Sequence, residues 1–293
     1  MKAREIKYIA TVICFILLAV KSSLGQSNNT AQYKVIPLGI TDEVTSSVLS
    51  ETRKLNIYLP DGYKGTDTTR YPVIYLLDGG IDEDFIHVVG LVQFNTQEWV
   101  NRIPKSIVVG IVNVDRKRDM TYPTSVKSDK EKYPTTGGSE RFISFIEKEL
   151  QPYIQEHYKT NNSRTIIGES LAGLLATEIL LQKPNLFNRY VIISPSLWWD
   201  NGSILENQMA ITASYPANDI CIYLGVGKEG LAPSIQPHVM EVDANVLIEK
   251  IKDAKNNHVH IRFDYLPEEN HATISHQALL NAFKNLCTTC DTK

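Results

Sequence analysis

One stretch of this chain combines residue types suited to nucleophilic chemistry: Gly168-Glu169-Ser170-Leu171-Ala172-Gly173. The run before it, Arg164-Thr165-Ile166-Ile167, is short, apolar and β-branched, which predicts a buried strand. The Leu- and Ala-rich run over 171–180 predicts a helix. A serine between strand and helix, with small residues two positions away on each side, is a nucleophile-elbow pattern. The tight turn lifts the hydroxyl clear of the backbone, and its strained φ/ψ leaves room only for small neighbours. Gly168 and Ala172 are those neighbours, and Gly173 lets the helix lie close to the strand. The free N–H groups at the helix start favour negative charge beside the serine. Glycine-flanked serines also occur in ordinary strand–helix turns, so the chemistry depends on partners elsewhere in the chain.

A serine hydroxyl is a weak nucleophile at neutral pH and needs a base, which in turn needs an acid to orient it. After the first 25 residues the chain offers His87, His157, His238, His258, His260, His271 and His276. His271 alone follows a predicted strand end after the serine and precedes a closing helix, where this chemistry places its base. Glu229 directly follows the penultimate predicted strand and is the expected acid, with Asp200, after the preceding strand, as the alternative. Asp243, Glu268 and Glu269 fit the strand-end rule less well. The oxyanion donors are expected to be the backbone N–H groups of Leu171 and of Gly80 in the Gly79-Gly80 loop. Trp198, Trp199 and Tyr122 are candidate pocket walls, although tryptophans are commonly core residues. No cofactor or metal is expected: Cys287 and Cys290 form a CxxC with no second ligand pair nearby.

These residues need a scaffold. Strands are predicted over 33–40, 52–60, 71–77, 106–114, 164–167, 189–193, 219–226 and 260–266. Helices are predicted over 139–157, 171–180, 239–255 and 273–286, with Ser139 as an N-cap. Residues 116–138, with their charges, prolines and Gly137-Gly138, read as a long irregular loop. The tally is one doubly wound, mostly parallel α/β sheet of about eight strands with an antiparallel N-terminal start. No internal repeat or dividing linker breaks the body of the chain.

The chain has 293 residues and a net charge of −3 without a basic stripe, which argues against nucleic acid as a partner. Lys2, Arg4 and Lys7 precede an almost wholly apolar run over 8–20, and Ser23 and Gly25 then lead into polar sequence. This is the pattern of a secretory signal peptide over 1–25, leaving 26–293 as a single domain that is secreted or periplasmic, with no stable membrane anchor after cleavage. The alternative, an uncleaved anchor helix, has a short apolar core for a span, and Cys14 lacks the small-residue context of a lipoprotein. In an oxidising compartment Cys287 and Cys290 could close a local disulfide, while Cys221, in an apolar strand, reads as a buried free thiol. Nothing in the sequence fixes the oligomeric state.

Tyr71-Pro-Val-Ile-Tyr-Leu-Leu-Asp-Gly79, Val109-Gly-Ile-Val-Asn113 with Arg116 and Arg118-Asp-Met120, Gly168-Glu-Ser-Leu-Ala-Gly173 and Ser194-Pro-Ser-Leu-Trp-Trp199 together resemble the Putative esterase family of α/β-hydrolases. That family includes enterochelin- and bacillibactin-type siderophore esterases, esterase D and feruloyl esterases. The resemblance runs over roughly 35–286, and Ala172 departs from its usual glycine. It implies an α/β-hydrolase fold and a metal-free serine hydrolase that cleaves small-molecule carboxylic esters through an acyl-enzyme, with Ser170 as nucleophile, His271 as base and an acid near Glu229. A siderophore or carbohydrate-linked ester would suit an exported enzyme. An acyltransferase, as in the mycolyltransferases this group also resembles, a peptidase and a non-catalytic binding domain are the competing expectations.

Overall fold

The computed structural model describes residues 36–66 and 68–285. The continuous apolar runs form the interior of a sheet. Every residue is buried in β3 (Tyr71–Leu76) and β4 (Ile107–Ile111), as in β6 (Arg189–Ile193) and β7 (Ile220–Gly227). Strands so apolar along their whole length must be covered on both faces, which is what parallel neighbours with crossover helices achieve. With β1 (Ile40–Ser46), β2 (Glu51–Tyr58), β5 (Thr160–Glu169) and β8 (Val259–Leu266), the sheet has eight strands in the order β1-β2-β4-β3-β5-β6-β7-β8. Strand β2 runs antiparallel to β1 and β4, and all other neighbours are parallel.

The helices in chain order are α1 (Phe85–Asn95), α2 (Arg116–Met120), α3 (Lys127–Lys132), α4 (Ser139–Phe145), α5 (Gln151–His157), α6 (Leu171–Gln182), α7 (Ser203–Glu206), α8 (Met240–Asp253) and α9 (Ile274–Asn285). A π-helical turn, Ile146–Leu150, joins α4 to α5. Strand side chains alternate between the faces. Ile74, Leu76 and Val108 meet α1 and α9 through Val88, Val92, Ala278 and Phe283. Val73, Tyr75 and Val109 lie in the opposite core with Phe142, Leu174, Ile179 and Leu247.

The structure corrects several expectations. Residues 36–39 are not a strand, and the first strand, Ile40–Ser46, is instead a polar edge strand whose alternation is weak. Helix α1 is absent from the sequence reading because its run Phe-Ile-His-Val-Val-Gly-Leu-Val has little amphipathic contrast. The 116–138 segment carries two short helices, α2 and α3, rather than only irregular chain. Gly138, not Ser139, stands at the N-cap of α4. Cys221 is disulfide-bonded rather than a free thiol, since pairing follows distance in the fold and not separation in sequence. The proposed signal segment and Cys287 and Cys290 lie outside the described residues. Among the described residues no helix is long and apolar enough to cross a membrane.

Candidate active site

The end of β5 and the start of α6 meet at Ser170, whose backbone has φ 59° and ψ −118°. That bend works because its surroundings are stripped of side chains. A Cβ on Gly168 would lie 2.4 Å from the Ala172 carbonyl oxygen, and one on Gly173 would lie 2.9 Å from the Ile193 carbonyl oxygen. The bend is locked by backbone bonds: Ser170 N–H donates to Ile193 O at 3.0 Å, and Ser196 N–H donates to Ser170 O at 3.0 Å. Leu171 is the first residue of α6, so its N–H belongs to the turn whose donors have no intrahelical acceptor.

Glu229 lies two residues beyond β7, and His271 five beyond β8. Both ends belong to parallel neighbours, so the two loops emerge side by side at the carboxyl edge that also carries Ser170. The loops are stitched together by Lys228 N–H donating to Glu269 O at 2.8 Å. His271 Nε2 is 3.1 Å from Ser170 Oγ, and His271 Nδ1 is 2.6 Å from Glu229 Oε2. The Glu229 side chain is 3% exposed against 47% for His271, so the carboxylate is sealed behind an imidazole that faces solvent.

The Glu229 carboxylate is itself held. Its other oxygen accepts from Ser194 Oγ and, at 3.2 Å, from Gly227 N–H. The Glu241 carboxylate on α8 accepts the N–H groups of Glu229 at 2.8 Å and Gly230 at 3.0 Å, which fixes the loop. Burial works to raise the Glu229 carboxyl, but the hydrogen bonds from His271, Ser194 and Gly227 outweigh it and hold it below the usual glutamate value. The hydrogen bond to Glu229 outweighs desolvation at His271 and holds the imidazole above its ordinary value.

A cavity of about 390 Å³ opens beside these groups, with Ser170, His271 and Glu229 in its wall. Leu171, Trp198, Trp199, Leu231, Ala232 and Met240 give it an apolar side, and Arg116, Lys117 and Tyr133 give it a cationic and aromatic side. Lys117 Nζ sits 4.0 Å over the Tyr133 ring. Both predicted tryptophans line the cavity, but Tyr122 does not. Its hydroxyl donates to Trp199 O at 3.0 Å and its carbonyl accepts from Trp199 Nε1 at 2.8 Å, so it braces the tryptophan from behind. Gly80 also departs from expectation: its N–H donates to Glu83 Oε2 at 2.7 Å and is not free for an oxyanion. The nearby cation is Arg116, held by two bonds to Asp78 at 2.7 and 2.8 Å.

Asp200 is unavailable as the acid. It accepts from Ser125 N–H and Oγ, Thr124 Oγ and Ser203 Oγ at 2.5 to 3.0 Å, tying the segment after Tyr122 to the loop after β6. Asp243 pairs with His238 at 2.9 Å, and Glu269 contributes its carbonyl rather than its carboxylate. Sequence reasoning missed Ser194, Ser196 (3.3 Å from Ser170 Oγ), Glu241 and Tyr133. Ser194 and Ser196 do have a signal, since they follow β6 directly at the same sheet edge. Among the described residues no group of three or more His, Cys, Asp or Glu side chains is arranged to hold a metal ion.

A family model, Putative esterase, matches residues 46–279. Ferri-bacillibactin esterase BesA of Bacillus subtilis is 34% identical over 170 residues, which cover 54% of this chain and 58% of that protein. The match therefore spans less than two thirds of that relative's length. An IroE-like serine hydrolase from Shewanella oneidensis superposes with a TM-score of 0.72 at 31% identity, covering 84% of this chain and 79% of its own. The BES protein from Bacillus cereus superposes with a TM-score of 0.73 at 26% identity, covering 88% of this chain and 98% of its own.

Proposed function

Because this chain belongs to the Putative esterase family and has the α/β-hydrolase fold, we propose that it is a serine hydrolase that cleaves carboxylic esters through an acyl-enzyme. The observation that carries this reading is the unbroken hydrogen-bond line from Ser170 Oγ through His271, at 3.1 Å, to Glu229, at 2.6 Å. Ser170 Oγ attacks the ester carbonyl while His271 Nε2 takes its proton. The same nitrogen then returns the proton to the leaving alcohol, and a water repeats the cycle on the acyl-enzyme. Glu229 fixes the tautomer and stabilises the imidazolium. The Leu171 N–H stabilises the oxyanion, and the Arg116 guanidinium on the same cavity wall replaces Gly80 as the second source of positive charge.

An acid moiety that is aromatic and bears polar or anionic substituents suits a cavity walled by tryptophans on one side and Arg116, Lys117 and Tyr133 on the other. The name of the BesA relative points the same way, toward a siderophore ester. Export is part of the proposal and rests on the basic then apolar start of the chain. The test is a panel of p-nitrophenyl and catecholate siderophore esters run on the wild type and Ser170→Ala. The variant is expected to lose on the order of 10⁴-fold in kcat. Equal activity in the two proteins rejects the mechanism, and preferential capture of the acyl group by an added alcohol assigns acyl transfer in place of hydrolysis.

A further inference from the structure

The described residues also form a concavity away from the proposed catalytic one. A cleft of about 1240 Å³ runs along the opposite edge of the sheet. Its walls are the residues that precede or begin β3 to β8: Thr69 to Pro72, Asn101 to Lys105, Asn161 to Arg164, Asn188, Ala217 to Asp219 and His258. Arg164 and Ser170 belong to one strand and its exit turn, six residues apart, which at about 3.3 Å per residue separates the two sites by about 20 Å.

The charge of this cleft is lopsided. Among the described lining residues, Arg70, Arg102, Lys105 and Arg164 stand with one carboxylate, Asp219, in a chain whose overall charge is −3. Asp219 is already engaged by His258 at 3.0 Å and His260 at 3.4 Å. Lys105 Nζ donates to the Asp61 carbonyl oxygen at 3.0 Å, and the Asp61 carboxylate, 3.9 Å away, is fully in solvent. Arg70 and Arg102 each give one N–H to a neutral oxygen, Thr160 O at 3.2 Å and Asn95 Oδ1 at 3.3 Å, and meet no carboxylate among the described residues. Arg164 Nε is buried without any acceptor. Surface cations ordinarily have water or carboxylates around them, and a buried donor without an acceptor is unfavourable. Three guanidinium groups thus line a cleft that also holds five asparagine side chains, and among the described residues most of their donors have no acceptor.

We propose that this cleft is a second binding site, for a small multivalent oxyanion. Guanidinium forks match the paired oxygens of phosphate and carboxylate groups. A volume roughly three times that of the catalytic cavity fits a ligand with several such groups rather than a single inorganic ion. The site is independent of the ester chemistry, because it shares no residue with the catalytic wall.

Isothermal titration calorimetry with tripolyphosphate and with citrate, at low ionic strength, tests the proposal and separates phosphate from carboxylate ligands. At least one anion is expected to bind, and Arg70→Gln/Arg102→Gln is expected to weaken it by about tenfold or more while p-nitrophenyl ester hydrolysis stays at the wild-type rate. Lys117→Gln, in the catalytic cavity, is expected to leave the anion affinity unchanged. Failure of both anions to bind overturns the proposal. So does binding that survives the double substitution, or binding that is lost with Lys117→Gln.

Discussion

The backbone of Gly227 approaches that of Glu269 so closely that a Cβ at residue 227 would lie 2.8 Å from the Glu269 carbonyl oxygen. That oxygen is the acceptor for Lys228 N–H. The glycine is therefore the hinge pin between the strand end that carries Glu229 and the loop that carries His271. Gly227→Ala should push the 269–271 loop away and lengthen the His271–Ser170 contact. A misplacement of about 1 Å in a catalytic group costs on the order of 10²-fold, so kcat should fall by about that factor. Circular dichroism and steady-state kinetics on the purified variant would check this; wild-type kcat in a folded variant would refute it.

The pH profile should follow the imidazole. In the proposed mechanism His271 must be neutral to accept the serine proton, and Glu229 holds its pKa above the ordinary histidine value. Activity should therefore rise with pH, with the acid limb of kcat/KM centred above about 6.5. The same pair sets a stability window. The depressed Glu229 carboxyl contributes above its unfolded value and loses that contribution as pH falls through the folded one. The raised His271 contributes below its unfolded value and loses it as pH rises through the folded one.

Glu229→Gln should move that limb toward lower pH and reduce kcat by about 10³-fold or more, because an amide neither fixes the tautomer nor stabilises the imidazolium. Asp200→Asn should leave kcat within a few-fold and lower the melting temperature, since its four hydrogen bonds tie loops together. A reversal of the two kinetic effects would make Asp200 the acid.

How much of this was legible in the sequence depends on how local the cause is. The elbow is written in six consecutive residues, and the strands around it in apolar runs, so both could be read directly. The position of His271 and Glu229 beside Ser170 was legible because both follow strand ends, and parallel order brings those ends together. Gly80, Tyr122 and Cys221 were misread because each outcome turns on a specific pairing that residue type alone does not announce, whether the partner is near in sequence, as for Gly80, or distant, as for Tyr122. Glu83 claims the Gly80 N–H, Trp199 claims Tyr122, and a disulfide claims Cys221. The basic cleft had no linear signature at all, since its arginines come from two connections and from strand β5, and share one cleft only in the folded sheet.

The placement of Arg116 rests on a buried charge network one turn away. Arg53 on β2, with a fully buried side chain, donates to Asp119 at 2.6 Å and to Glu51 at 2.7 Å. Arg118 bonds both acids at 2.7 Å. This network fastens α2 to β2. Removing one member of a buried pair leaves an uncompensated charge and typically costs about 3–5 kcal/mol. Arg53→Met should lose about 3 kcal/mol in urea unfolding, since Arg118 still faces Asp119. Arg53→Met/Asp119→Asn should recover part of that loss. A double variant less stable by the full sum of the two single changes would show that the residues are not coupled.

Glu178 should make the helix that follows Ser170 sensitive to pH. It lies on α6, is 4% exposed, and has one carboxyl oxygen with no hydrogen-bond partner. Gln182 reaches the other at 3.3 Å. Burial pushes its pKa up to about 7. Between the ordinary glutamate value and about 7 the folded protein holds a proton that the unfolded chain has released, so this residue lowers stability progressively as pH rises through that interval. Above it, the whole cost of a buried carboxylate is present. Glu178→Gln keeps the shape and removes the charge. At pH 8 it should stabilise the protein by on the order of 3 kcal/mol, the equivalent of a displacement of between two and three pKa units, and at pH 4 the gain should vanish. Urea unfolding at the two pH values checks both halves, and an equal gain at pH 4 and pH 8 would place the effect in packing rather than in ionisation.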